Sequence, residues 1–139
     1  MNKFKVEKEF EIDGFRCVVI GLEAGHRCGY IKIPKDHKYY GVDYDDIHVD
    51  IHGGWTYSEY TYNNYPIESD KNSWWIGFDC AHCYDAKDLE LIKSFGDTER
   101  TRVYMDMVER FPEHGEIRTT EYVENELREA VKELKYMFK

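Results

Sequence analysis

Positive charge is in short supply in this sequence: 19 Lys and Arg stand against 28 Asp and Glu, a formal net charge of -9. Nucleic-acid binding that ignores base sequence runs on Lys/Arg–phosphate contacts, so the imbalance disfavours a nucleic-acid partner. The carboxylates are spread along the chain and interrupted by Lys and Arg, which reads as solubility rather than mimicry of DNA. Long apolar runs are missing too. No stretch approaches the roughly 20 residues of a membrane span, and Met1–Phe10 is charged, without the apolar core of a signal peptide. The expectation is a cytoplasmic protein with no membrane partner. Proline occurs three times, and there is no repeat, low-complexity tract or linker-like stretch. The 139 residues are therefore expected to form a single domain, 1–139, long enough to bury a core without disulfide or metal staples. In a reducing compartment the four cysteines are expected as free thiols or metal ligands. No P-loop, Gly-x-Ser-x-Gly or dinucleotide fingerprint occurs.

Aromatic residues, by contrast, are plentiful. Twelve Tyr, seven Phe and three Trp make up 16% of the chain, and Tyr suits both strand packing and ligand stacking. The pattern predicts α+β architecture: a mostly antiparallel sheet with a C-terminal amphipathic helix packed on one face. Phe4–Ile12, Asp13-Gly14 and Phe15–Ile20 read as a β-hairpin, because Asp-Gly is a favoured two-residue turn. Tyr30–Ile33 predicts a short strand ended by Pro34, and Asp36–Asp46 a polar, Tyr-rich loop. Ile47–Ile51 alternates as a strand would, Gly53-Gly54 breaks it, and Trp55–Tyr60 continues it. Asn63-Asn64 and Ser69–Ser73 carry turn chemistry. Trp74–Cys80 predicts a strand with Trp74, Ile76, Phe78 and Cys80 on one face. Thr101–Arg110 reads as a short helix. Thr119–Phe138 reads as the main helix, with Val123, Leu127, Ala130, Leu134 and Met137 at three- and four-residue spacing and Thr119 or Thr120 as its cap.

Three blocks pack His, Cys, Gly, Asp and aromatics more densely than a core requires. In Gly25-His-Arg-Cys-Gly-Tyr30 the glycines permit tight turns and Arg27 can hold a phosphate or carboxylate by its fork, with His26 beside it; the bland reading is a polar connecting loop. In His48-Val-Asp-Ile-His-Gly-Gly54, alternation places His48, Asp50 and His52 on one strand face, a weak divalent-metal set. Equally, Gly53 and Gly54 can offer backbone N–H groups to an anion next to His52, or the stretch is a polar edge with a glycine bulge. In Asp79-Cys-Ala-His-Cys83 the C-x-x-C lacks a second ligand pair, so buried thiols are favoured over zinc. Asp79 and His82 remain as the candidate acid/base or ligand-reading pair at a strand end. The Asp43-Tyr-Asp45-Asp46 run lacks the Gly and distal Glu of an EF-hand.

Taken in order, Gly25–Tyr30, Pro34, His37, Tyr40-Gly41, Asp43–Asp46, His52-Gly-Gly-Trp-Thr-Tyr-Ser58 and Trp75-Ile-Gly-Phe-Asp-Cys-Ala-His82 resemble a family of small proteins encoded by tailed bacteriophages and prophages. Cys83 departs from the small residue of that pattern. The resemblance implies a viral context in the host cytoplasm rather than an activity. In that context the expected function is anti-defence: sequestering a small phosphorylated or nucleotide-like immune signal. His26, Arg27, His52, Gly53 and Gly54 would hold its anionic groups, Trp55 and Tyr57 would stack, and Asp79 and His82 would read polar groups. Two alternatives stand beside it. One is a metal-dependent or acid/base hydrolase of a similar ligand, using His48, Asp50, His52, Asp79 and His82. The other is an inhibitor of a host protein acting through the acidic, Tyr-rich surface of Tyr39–Tyr65. No cofactor is predicted, a divalent metal is a possible addition, and an edge strand offers a route to a homo-oligomer.

Overall fold

The computed structural model describes residues 3–60, 73–111 and 115–139. Strand β1 (Phe4–Ile12) and strand β2 (Phe15–Leu22) form the expected hairpin, with Ile12 opposite Phe15. Its turn places both Asp13 and Gly14 at positive φ (51° and 85°), as a two-residue hairpin demands. Glu7 is an extra residue between the pairs Val6–Ile20 and Lys8–Val19. Such a bulge re-aims its side chain, and the Glu7 carboxylate meets Arg27.

Strand β3 (Arg27–Ile33) pairs antiparallel with β2 and with β5 (Trp74–Asp79), and the short β4 (Tyr57–Glu59) closes the far edge. The sheet order is β1-β2-β3-β5-β4, all antiparallel. A second, two-stranded parallel ribbon joins β6 (Asp85–Ala86) to β7 (Glu116–Ile117). Two helices, α1 (Leu89–Lys93) and α2 (Glu99–Arg110), lie between the ribbon's strands, and α3 (Thr120–Leu134) follows it. No helix among the described residues is long and apolar enough to cross a membrane.

Helix α3 begins where Thr119 caps the Tyr122 N–H with its hydroxyl. Val123, Leu127, Ala130, Val131 and Leu134 form its buried stripe. They pack on Phe15, Cys17, Val19, Ile31, Ile33, Trp74, Ile76 and Phe78, the alternating residues of one sheet face. Gly29 makes this approach close: a Cβ there would sit 2.6 Å from Phe78 and about 3 Å from Val123 and Leu127. The helix stops at Leu134, short of the expected Phe138. There His37, fully buried, donates from Nε2 to the Leu134 carbonyl (2.7 Å) and accepts the Tyr39 N–H at Nδ1 (3.0 Å). Burial lowers the His37 pKa, which suits this neutral tautomer. The opposite sheet face buries Val18, Ile20, Cys28 and Trp75.

Three local expectations differ from the structure. The Gly25–Tyr30 block is not a connecting loop, since from Arg27 onward it is β3. Ile47–Ile51 keeps its alternation, with Ile47 and Val49 buried and His48 and Asp50 exposed, but forms no strand. Its groups are satisfied otherwise: the His48 N–H donates to the Tyr39 hydroxyl and the Trp55 indole donates to the Val49 carbonyl (3.1 and 2.9 Å). The Trp55–Tyr60 strand contracts to β4. Asn63-Asn64 and residues 69–72 of the second turn lie outside the described residues.

Candidate functional site

Beyond the end of β5 the chain curls through Cys80–Tyr84 into β6, and this curl is organised by one carboxylate. Asp85 is completely buried. Its Oδ2 accepts from the His82 backbone N–H (3.1 Å), His82 Nδ1 (3.0 Å) and His52 Nε2 (3.0 Å). Its Oδ1 accepts from Arg118 Nε at 2.9 Å. Burial alone would raise the Asp85 pKa, but hydrogen bonds from His52, His82 and Arg118 outweigh it and hold the carboxyl at about 2. Asp85 is therefore ionised and can only accept. This fixes the protons of its neighbours: His52 carries one on Nε2, and His82 one on Nδ1.

Each partner reaches Asp85 from a different segment. His52 is delivered by the loop after Val49, where Gly53 and Gly54 turn the chain at positive φ (70° and 83°). A Cβ on Gly53 would overlap the His82 ring, so glycine is required for the two imidazoles to lie side by side. The His52 N–H donates to Glu126 Oε1 (2.8 Å), and its Nδ1 accepts from the Tyr122 hydroxyl (2.8 Å), both on α3. Arg118 comes from the link between β7 and α3. It also bonds Glu116 and lies over the Tyr122 ring at 4.9 Å. His82 stacks on Tyr84 with the rings 5.1 Å apart and 4° from parallel. The His52 ring is enclosed by His82, Tyr84 and Tyr122 at 5.3–5.6 Å.

The resulting site has a closed and an open side. His52 is 5% exposed and His82 26%. His82 Nε2 lies beside Gly53 and 4.0 Å from Asp79 Oδ1. Asp79 is itself held, accepting from the Ala81 N–H (3.1 Å) and the Thr56 hydroxyl (3.0 Å). On the flank of His52 a depression of about 470 Å³ is lined by Asp50, Ile51, Glu126, Glu129, Lys132 and Glu133. One donor atom each from His52, His82 and Asp85 lies within 4.8 Å of the other two, so the group can hold a metal ion. It can equally act as a proton relay, with Asp85 orienting His82.

Of the residues singled out in the sequence, the structure brings together His52, Gly53, Asp79 and His82. The others are elsewhere. Arg27 is buried in β3, its guanidinium bonded to Glu7 (2.6 Å), Asp88 (2.9 Å) and the Arg118 carbonyl (3.1 Å). A buried fork engaged in this way from within the protein is not open to a ligand phosphate. His26 sits half-buried in the β2–β3 turn, its carbonyl accepting the Leu22 N–H. Trp55 is in the core, and Tyr57 packs edge-on against Tyr30 at 5.3 Å. Gly54 is exposed beside Gly53. His48 and Asp50 are exposed, and the metal-capable group uses His52 with His82 and Asp85 instead of them, because the predicted strand that would align them does not form. Tyr39 is buried in the core, and Tyr40 packs against Tyr60, so part of the Tyr-rich surface faces inward. Tyr62 and Tyr65 lie outside the described residues.

Asp85, Arg118, Tyr122 and Glu126 are the site residues that sequence reasoning missed. Asp85 lies two residues beyond the third block and three after His82, which is the spacing that lets its carboxylate accept the His82 N–H. Tyr122 and Glu126 lie four apart, on one flank of α3. Nothing local marks Arg118. In comparison with known proteins, no family model, curated protein or solved structure matches the chain at a significant level.

Proposed function

We propose that the protein is a phage-encoded hydrolase of a small, nucleotide-like ligand, working at the His52–His82–Asp85 group. The observation that supports this most is the convergence of two imidazoles on one buried, ionised carboxylate, with one of the rings partly open to solvent. Asp85 holds the Nδ1–H of His82, leaving Nε2 as the acceptor of this partly exposed ring. There it takes a proton from an attacking water, and the imidazolium that forms is balanced by Asp85 and Asp79. His52, tied to Tyr122, braces the pair from behind.

Hydrolysis is favoured over sequestration because the residues expected to grip phosphate do not converge, whereas two imidazoles and an ionised carboxylate do. Capture without turnover keeps one supporting observation: the exposed Tyr84, stacked on His82, is a flat platform for a base. The test incubates the protein with a panel of cyclic oligonucleotides and ADP-ribose derivatives, then separates the filtrate and the fraction released by heat. A chemically altered ligand, formed by the wild type and lost in His82→Ala, is the expected result. A ligand returned intact supports capture. A panel that passes through unchanged overturns both and directs attention to a host protein.

A further inference from the structure

We infer that His52 Nε2, His82 Nδ1 and Asp85 Oδ2 form a binding site for one divalent transition-metal ion of the zinc or cobalt type. The inference rests on the reading of this group as a working site and changes its base: with an ion on Nδ1, His82 Nε2 would carry the proton, and the ion would supply the activation of water that Nε2 supplies without it.

Four observations carry it. First, the three donor atoms come from two separate loops and the start of β6, and all lie within 4.8 Å of one another. Two imidazoles and one carboxylate suit a zinc-like ion rather than magnesium or calcium, which prefer all-oxygen sets. Second, the carboxylate is already aimed. Arg118 holds Oδ1 at 2.9 Å, leaving Oδ2 directed at the rings.

Third, the proton bookkeeping closes within the site. A metal needs the unprotonated nitrogen of each imidazole, so His52 must move its proton from Nε2 to Nδ1 and His82 from Nδ1 to Nε2. Neither ring changes charge. An acceptor for the first relocated proton is in place, the Tyr122 hydroxyl oxygen 2.8 Å from His52 Nδ1, while for the second the nearest carboxylate, Asp79 Oδ1, is an ion-pair neighbour 4.0 Å from His82 Nε2 that must close in to accept it. Metal-bound histidines characteristically donate their other N–H to such an outer partner, which fixes the ring and its tautomer. Fourth, carboxylates prevail on the flank of His52: Asp50, Glu126, Glu129 and Glu133 border the depression there with Lys132, and the Arg118 guanidinium on Asp85 offsets only part of that negative charge. The partial exposure of His82 leaves one side of the site open to water or ligand, as a catalytic rather than structural metal requires.

The experiment is a titration of the chelator-treated 139-residue chain with Co²⁺ alone, followed by visible absorption and competed with Zn²⁺. One equivalent should bind and be displaced by zinc. His82→Ala should weaken binding at least about 100-fold, and Tyr122→Phe about 10-fold, the range typical of a lost ligand-orienting partner. His48→Ala, on an exposed side chain outside the group, should bind as the wild type does. His82 is the most exposed of the three ligands, so its alanine variant should keep the fold, which tryptophan fluorescence checks. Absent binding, or binding that His82→Ala leaves unchanged, overturns the inference. Assaying the ligand panel on the same samples separates the two readings. Cobalt binding without any product keeps the metal site and removes the hydrolase. Product from metal-free protein that binds no cobalt does the reverse.

Discussion

Replacing Asp85 by Asn removes the charge on which the loop after β5, the His52 loop and the β7–α3 link converge, while keeping shape. Holding a carboxyl from its ordinary 3.8 down to about 2 corresponds to roughly 2 kcal/mol of stability at neutral pH. Asparagine forfeits that. Its amide group also faces donors it cannot satisfy, since Arg118, two imidazoles and a backbone N–H all point at this side chain. One unmet buried donor adds about 1–2 kcal/mol. The expected loss at pH 7 is therefore about 3 kcal/mol, with a plausible span of roughly 2–4. The pH dependence has a definite sign. A depressed carboxyl pKa contributes stability that is fully present above the unfolded value near 3.8 and is lost as pH falls through about 2. The gap between wild type and variant should narrow below pH 4. Urea unfolding followed by fluorescence is the assay, because Trp55, Trp74 and Trp75 are all buried and will report on loss of the core. A gap below about 0.5 kcal/mol at pH 7, or one that persists undiminished to pH 2, would refute the assignment of Asp85 as an ionised hub.

Two further outcomes test the reading of individual residues. Arg27→Met should cost about 3 kcal/mol, because it strands Glu7 and Asp88 against a largely buried site, yet leave cobalt affinity unchanged. A loss of ligand or metal binding without destabilisation would return Arg27 to the functional site. Among the thiols, Cys17, Cys28 and Cys80 are pushed up to about 12 by burial, whereas Cys83 is exposed. A colorimetric thiol reagent at pH 8 should therefore label one cysteine in the native protein and four in urea. Two or more fast-reacting native thiols would contradict the buried placement.

Much of the fold is legible because its signals are local. Asp13-Gly14 dictates a tight turn through its backbone preferences, and period-two and period-3.6 patterns mark β5 and α3. The helix cap at Thr119 and the burial of Val123, Leu127, Ala130 and Leu134 follow from the same logic. What misled was alternation without pairing. Ile47–Ile51 buries its odd residues against the core, as a strand would, but finds no partner strand among the described residues, and a side-chain acceptor (the Tyr39 hydroxyl) and a side-chain donor (the Trp55 indole) satisfy it instead. The parallel ribbon of β6 and β7 has two residues a side, too few for any periodic signal.

The site divides the same way. The sequence by itself determined that His, Asp and Gly are concentrated around His52 and Asp79–Asp85, since composition needs no coordinates. It also determined that His82 sits at a strand end and that the Gly53-Gly54 pair bends the chain. Only the tertiary structure decided which of these groups meet. His52 turned from His48 and Asp50, four and two residues away, toward His82 and Asp85, some thirty away. Arg27 was drawn from the imagined ligand to Glu7 and Asp88, and Arg118 was supplied to Asp85 from beyond α2. The physical reason is that a buried charge must be paired wherever the fold places a partner, and partners distant along the chain leave no local pattern to read.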